Sequence, residues 1–205
     1  MASNQRSAVS DNTLELYPAT PQSAPADVTA LISALHNIEL IGMPFDRFGI
    51  RHYRLGGQFP QLIRFRRSHT VIVVQPEAGR LVEVRRQDSA GRCHIAFSAV
   101  TPEAEFLGMG NTHTPRCPHC KRGIRQWQAA MTGWYINKPG YYWICPHCTR
   151  PTPPAAWDWQ KTAAIARFSI AVWGIHGGEA RPTHQLLQFL ATQVATPWDY
   201  FYARC

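Results

Sequence analysis

Six cysteines occur in a chain of 205 residues, and four of them form two identical tetrapeptides. These are Cys117-Pro118-His119-Cys120 and Cys145-Pro146-His147-Cys148, with 24 residues between them. A Cys-x-x-Cys turn offers two thiolates from one tight knuckle, with backbone amides aimed at the sulfurs. Two knuckles together supply the four soft donors that zinc takes in a tetrahedron. Four thiolates leave no open position for water or substrate, so a structural Zn2+ held by Cys117, Cys120, Cys145 and Cys148 is expected, with no catalytic role.

Two other chemistries use similar residues. Cys-Pro-His-Cys is also the active tetrapeptide of some thioredoxin-fold oxidoreductases, but that chemistry needs a strand before the motif and a helix after it. Neither copy has this setting, and Pro151, Pro153 and Pro154 block a helix after the second. Zinc deaminases need His-x-Glu ahead of Pro-Cys-x-x-Cys, and no His-x-Glu occurs in the chain. His119 and His147 sit inside their knuckles and are expected to point outward. Over residues 115–150 the chain resembles the zinc-ribbon group, whose members carry two Cys-Pro-x-Cys knuckles. Many ribbons place Gly directly after each knuckle, where this chain has Lys121 and Thr149.

The elements that must position the cysteines are legible in part. Residues 1–25 are polar and rich in Pro and Ser, which predicts a flexible arm. Val28, Leu31, Ile32, Leu35 and Ile38 repeat at helical spacing behind Asp27, a candidate N-cap. Stretches 63–74, 81–86 and 93–99 are rich in branched and aromatic residues and separated by turn residues, which predicts an antiparallel meander. Trp127, Trp134, Tyr135 and Tyr141 to Trp143 fit strands of a hairpin between the knuckles. Further on, Ile165, Phe168 and Val172 share a helical face, and a second helix is expected from Thr183 to Pro197. The aromatic tail 198–202 should pack on the body. The fold expected is α+β: an antiparallel meander with flanking helices, an inserted four-cysteine zinc ribbon and a helical C-terminal segment. In residue ranges this gives an arm 1–25, an α+β domain 26–110, a ribbon 111–152 and a helical segment 153–205.

Composition narrows the function. Hydrophobic residues make up 45% of the chain, enough for a core. The N-terminus lacks the apolar stretch of a signal peptide, and the apolar run 162–175 is too short to span a bilayer. A cytoplasmic protein with reduced thiols and no membrane partner is therefore expected. The chain carries 21 Lys+Arg against 13 Asp+Glu, a net charge of +8. Ten arginines fall within residues 47–92 against three acids, whereas residues 1–46 carry one basic residue and five acids. Arginine binds phosphate or carboxylate through a planar fork. Arg64, Arg66, Arg67, Arg85 and Arg86, joined by Lys121, Arg122 and Arg125 at the first knuckle, are the candidate contacts for nucleic acid or an acidic protein. No GxxxxGK[ST], GxSxG or HExxH motif occurs, so a non-enzymatic role is expected. The alternative to a nucleic-acid binder is a protein-interaction module, such as a small bacterial inhibitor, immunity or accessory protein. Its support is the aromatic content, seven Trp, seven Tyr and nine Phe, since such residues dominate protein interfaces.

Overall fold

The computed structural model describes residues 12–204 apart from 48, 67–72, 75–81, 84–92 and 139. In chain order its first elements are β1 (Asn12–Pro18), α1 (Val28–Asn37), β2 (Ile41–Arg47), β3 (Ile50–Leu55), α2 (Phe59–Leu62) and β4 (Ile63–Phe65). Two short strands follow, β5 (Val73–Val74) and β6 (Val82–Glu83), then β7 (His94–Phe97) and β8 (Glu105–Phe106). The cysteine region holds α3 (Trp127–Asn137), β9 (Trp143–Ile144) and β10 (Pro151–Thr152). The chain closes with β11 (Ile165–Ala166), β12 (Ile170–Trp173), β13 (Ala180–Pro182), α4 (His184–Val194) and β14 (Trp198–Arg204). The class is α+β, as expected. No helix among the described residues is long and apolar enough to cross a membrane.

A six-stranded sheet in the order β14-β1-β12-β7-β3-β2 forms the body, and every pairing in it is antiparallel. Leu14 and Leu16 of β1, Ile170 and Val172 of β12 and Ile95 of β7 alternate onto one face and are fully buried there. Helices α1 and α4 cover that face through Leu31, Leu35, Leu186 and Leu190. The Asp27 carboxylate caps α1 by accepting from the Thr29 and Ala30 amides at 2.7 and 3.1 Å. The Thr183 hydroxyl caps α4 through the Leu186 amide at 3.2 Å.

Three expectations are corrected. Residues 12–18 are no part of a flexible arm: they form an interior strand with a partner on each side. Leu14 and Leu16 give the stretch a period of two, but both partners lie more than 150 residues away in the chain, so nothing local reveals them. The order of the strands is not that of a meander. Only β2 and β3 are sequential neighbours in the large sheet, β4 pairs with β13, and β5 and β6 form a separate hairpin. The C-terminal segment is helical only in α4 and in a single 3-10 turn at Pro154–Ala156. Ile165 and Val172 lie in the strands β11 and β12. A short apolar run satisfies either period, and pairing of β12 with β1 and β7 decides the outcome.

A second buried cluster lies beside the cysteines. It joins Ile124, Ala130, Met131 and Trp134 to Ala104, Trp157, Trp159, Ala163 and Ile165. Between the two cores stands a small cluster of Ala164, Phe201 and Ala203 with Tyr17 packed on it, on the opposite face of the sheet from the main core.

Candidate metal centre

Each knuckle is built by the same backbone bonds. The Cys117 amide donates to the Arg122 carbonyl and the Lys121 amide to the Cys117 carbonyl, both at 2.9 Å. In the second knuckle the Cys145 amide donates to the Arg150 carbonyl at 3.2 Å, and the Thr149 amide to the Cys145 carbonyl at 2.8 Å. These turns need a left-handed residue after the second cysteine. Lys121 and Thr149 adopt it, at φ 61° and 57°, where glycine stands in many ribbons.

The four sulfurs converge and all lie within 4.8 Å of one another. Cys117 and Cys148 are 3.8 Å apart across the site, and Cys120 and Cys145 are 3.7 Å apart. None of the four is in a disulfide. Cys117 and Cys145 are buried, whereas Cys120 and Cys148 are half-buried. The set can hold a metal ion, and no other group of this kind occurs among the described residues.

The electrostatics of the four thiols are those of a site that a cation could stabilise. Burial pushes the Cys117 thiol up, but the amides of Cys120 and His119 and the neighbouring thiols prevail and bring it down to about 7. The Arg150 amide lowers Cys148, yet burial and the other three sulfurs together raise it to about 11. One thiolate is welcome and the last is resisted, because negative charge accumulates at one point. A divalent ion in the middle removes that repulsion.

The two knuckles are also tied crosswise by side chains. Arg122 donates to Nδ1 of His147 at 3.1 Å, and Arg150 donates to Nδ1 of His119 at 3.4 Å. Each arginine follows one knuckle and reaches the histidine inside the other. His119 and His147 do point outward, as expected, and both are exposed. Arg150 was missed as a functional residue. The signal lay in the repeat of six residues, Cys-Pro-His-Cys-x-Arg, which is longer than the tetrapeptide alone.

The segment between the knuckles corrects a further expectation. Trp127 and Trp134 lie on α3 and not on the strands of a hairpin. Trp127, Met131 and Trp134 have the i, i+4, i+7 spacing of one helical face, and Ala130, Met131 and Trp134 are buried by it. The second knuckle sits in the hairpin of β9 and β10, and the first is tied by Arg116, whose main chain bridges Gly123 and Asp158. A run of aromatic rings, Trp143, Trp157, Trp159 and Phe106, backs the site with centroids 5.1 to 5.5 Å apart.

The expected basic contacts divide into groups. Lys121, Arg122 and Arg125 are exposed on the first knuckle and just after it. Arg122 and Arg125 line a groove of about 1060 Å3, with His147 opposite and Trp143 and Ile144 as an apolar wall. Arg64 and Arg66 are exposed on β4 and at its end, and Arg64 stands opposite Arg181 of β13 on the body. Arg67, Arg85 and Arg86 lie outside the described residues. No protein-family model, curated protein or solved structure matches the chain.

Proposed function

We propose that the chain is a non-enzymatic zinc-ribbon protein that binds nucleic acid, with Zn2+ as a structural ion. Thiolate sulfurs about 2.3 Å from a tetrahedral zinc lie roughly 3.8 Å apart, and the cross-site separations of 3.7 and 3.8 Å fit that edge. Four thiolates on Zn2+ leave a net charge of −2, which Arg122 and Arg150 offset from either side. The ion then contributes folding free energy and no Lewis-acid chemistry.

The observation that carries the nucleic-acid reading is the groove beside the second knuckle. Arg122, Arg125 and His147 line it, no carboxylate does, and Trp143 and Ile144 add apolar surface. Phosphate contacts supply such a site with affinity, and aromatic or aliphatic walls take the bases. Arg64 and Arg66, exposed on the body, would offer further phosphate contacts for a longer ligand, and Arg67, Arg85 and Arg86 remain candidate contacts outside the described residues.

The test is the salt dependence of binding. Fluorescence anisotropy with generic DNA and RNA should show a steep fall in affinity between low and moderate salt. Lys121→Ala combined with Arg125→Ala spares the arginine–histidine ties, and should lower the slope of log K against log salt by up to about 2 with zinc content unchanged. Failure to bind either nucleic acid at low salt would reject the reading. The protein-partner reading would then take its place, favoured by Tyr135, Ile136, Tyr142 and Ile144, which are 51%, 75%, 60% and 65% exposed.

A further inference from the structure

A second cavity, of about 220 Å3, lies where residues of the tryptophan-rich core meet β1 and β14 of the sheet. Tyr17, Trp157, Asp158, Gln160, Lys161 and Asp199 line it. Its rim is a turn in which two successive residues other than glycine, Gln160 and Lys161, are left-handed at φ 54° and 59°. Such backbone is disfavoured for L-residues and persists where surrounding contacts enforce it, often at binding sites. Here the enforcing contacts are specific. The Gln160 amide donates to the Asp158 carboxylate at 3.0 Å, and the Tyr202 amide donates to the Lys161 carbonyl at 2.9 Å. Lys161 donates to Asp199 and lies over the Tyr200 ring at 4.5 Å. Its side chain is still 44% exposed, so the ammonium keeps donors within reach of a ligand.

The cavity and the groove share a wall. The Gln160 side chain donates to the Thr114 carbonyl at 2.7 Å, and Thr114 itself lines the groove. Asp158 and Arg116 exchange main-chain hydrogen bonds at 2.9 and 3.0 Å. One strand spacing, about 4.8 Å, therefore separates the Arg116 and Asp158 main chains.

We propose that this cavity takes one unstacked nucleobase of a single strand whose phosphates follow the ribbon groove, an inference that rests on the nucleic-acid reading above. The volume lies below the roughly 300–1,000 Å3 that holds drug-sized ligands, and suits a single planar ring system. Lys161 presents a donor and Asp158 an acceptor, which matches a base edge carrying both kinds of group. Trp157 and Trp159 supply the aromatic lining such a base needs. In a duplex that edge is already paired, so the site selects single strands.

Abasic strands test this, because they keep the phosphates and lack the bases. A strand of roughly twelve nucleotides, as DNA and as RNA, is compared with its abasic counterpart by anisotropy at low salt. The intact strand should bind roughly tenfold tighter than the abasic one. Ala19, which is exposed and lines the cavity, belongs to neither core. Ala19→Trp should plug the cavity and lower the intact-to-abasic ratio several-fold, leaving abasic binding, salt slope and zinc content as they were. Equal affinity of the wild-type protein for intact and abasic strands would overturn the proposal while leaving the phosphate contacts of the groove in place. An intact-to-abasic ratio unchanged by Ala19→Trp would overturn it as well. If neither strand binds, the nucleic-acid reading falls and takes the base site with it.

Discussion

The body and the cysteine region, proposed above as a zinc ribbon, each border a buried cluster, but the two clusters differ in make-up. The body buries Leu14, Leu16, Ile170 and Val172 completely, between strands drawn from both ends of the chain. Its stability comes from apolar area removed from water and from long-range pairing. The cysteine region borders a smaller core, rich in tryptophan and completed by residues before and after the knuckles, and beside it four sulfurs that repel one another once ionised. Small cores of this kind usually need a metal or a covalent tie. If the four cysteines hold zinc as proposed, one part of the chain should depend on the metal for its fold and the other should not.

Removing a sulfur should sharpen that contrast most. Cys120→Ser takes away one donor, and structural zinc contributes about 10–16 kcal/mol of apparent binding free energy in small metal-folded peptides. Elemental analysis should find no zinc, and the near-ultraviolet dichroism of the ribbon tryptophans should collapse. The strand signal in the far ultraviolet should persist, because the sheet holds no ligand. Retained zinc would refute the ligand set, and simultaneous loss of the sheet would refute the division into two parts. Leu16→Ala is the converse. It should destabilise the body by about 2–5 kcal/mol in thermal or urea unfolding, with zinc stoichiometry intact.

A smaller effect is expected from the ties over the metal. Groups that orient and neutralise first ligands typically change metal affinity by about 10–100-fold when removed. Arg122→Ala with Arg150→Ala should therefore speed zinc loss to a chelator by that order without unfolding the body. Lysine at both positions should rescue little, since it lacks the planar fork that reaches the histidine ring nitrogen. Equal rates in all three proteins would reduce the arginine–histidine contacts to surface decoration.

The sequence made the four-cysteine cluster legible and left much of the scaffold hidden, for a physical reason. Cys117 to Cys148 carry their chemistry in local spacing, so identity and convergence were readable together. Helices α1 and α4 announced themselves through Asp27 and Thr183 caps and a local period. Strand β1 did not, because its partners are β12 and β14, far along the chain. The helix between the knuckles was readable from Trp127, Met131 and Trp134, but their aromatic content also suits strands. The cavity at Lys161 was beyond reach, since it joins Tyr17, Asp158 and Asp199 only after folding. The crosswise arginine contacts were half visible, as a repeat whose purpose needs the second knuckle in place.

The finest comparison is between the knuckles themselves. Both need a left-handed residue, and an L-side chain there costs roughly 1–2 kcal/mol relative to glycine in the folded state. Glycine gives back up to about 1 kcal/mol through the freedom it adds to the unfolded chain. Thr149 is β-branched and therefore the more strained of the two, although its hydroxyl donates to the Cys148 carbonyl at 2.8 Å. Thr149→Gly should accordingly stabilise the zinc-loaded ribbon by up to about 2 kcal/mol, and by more than Lys121→Gly does. Chelator-driven zinc release, followed by tryptophan fluorescence, resolves differences of that size. Faster release from Thr149→Gly than from the parent would mean that the hydroxyl bond outweighs the strain, and that the two knuckles differ in how they are held and not merely in sequence.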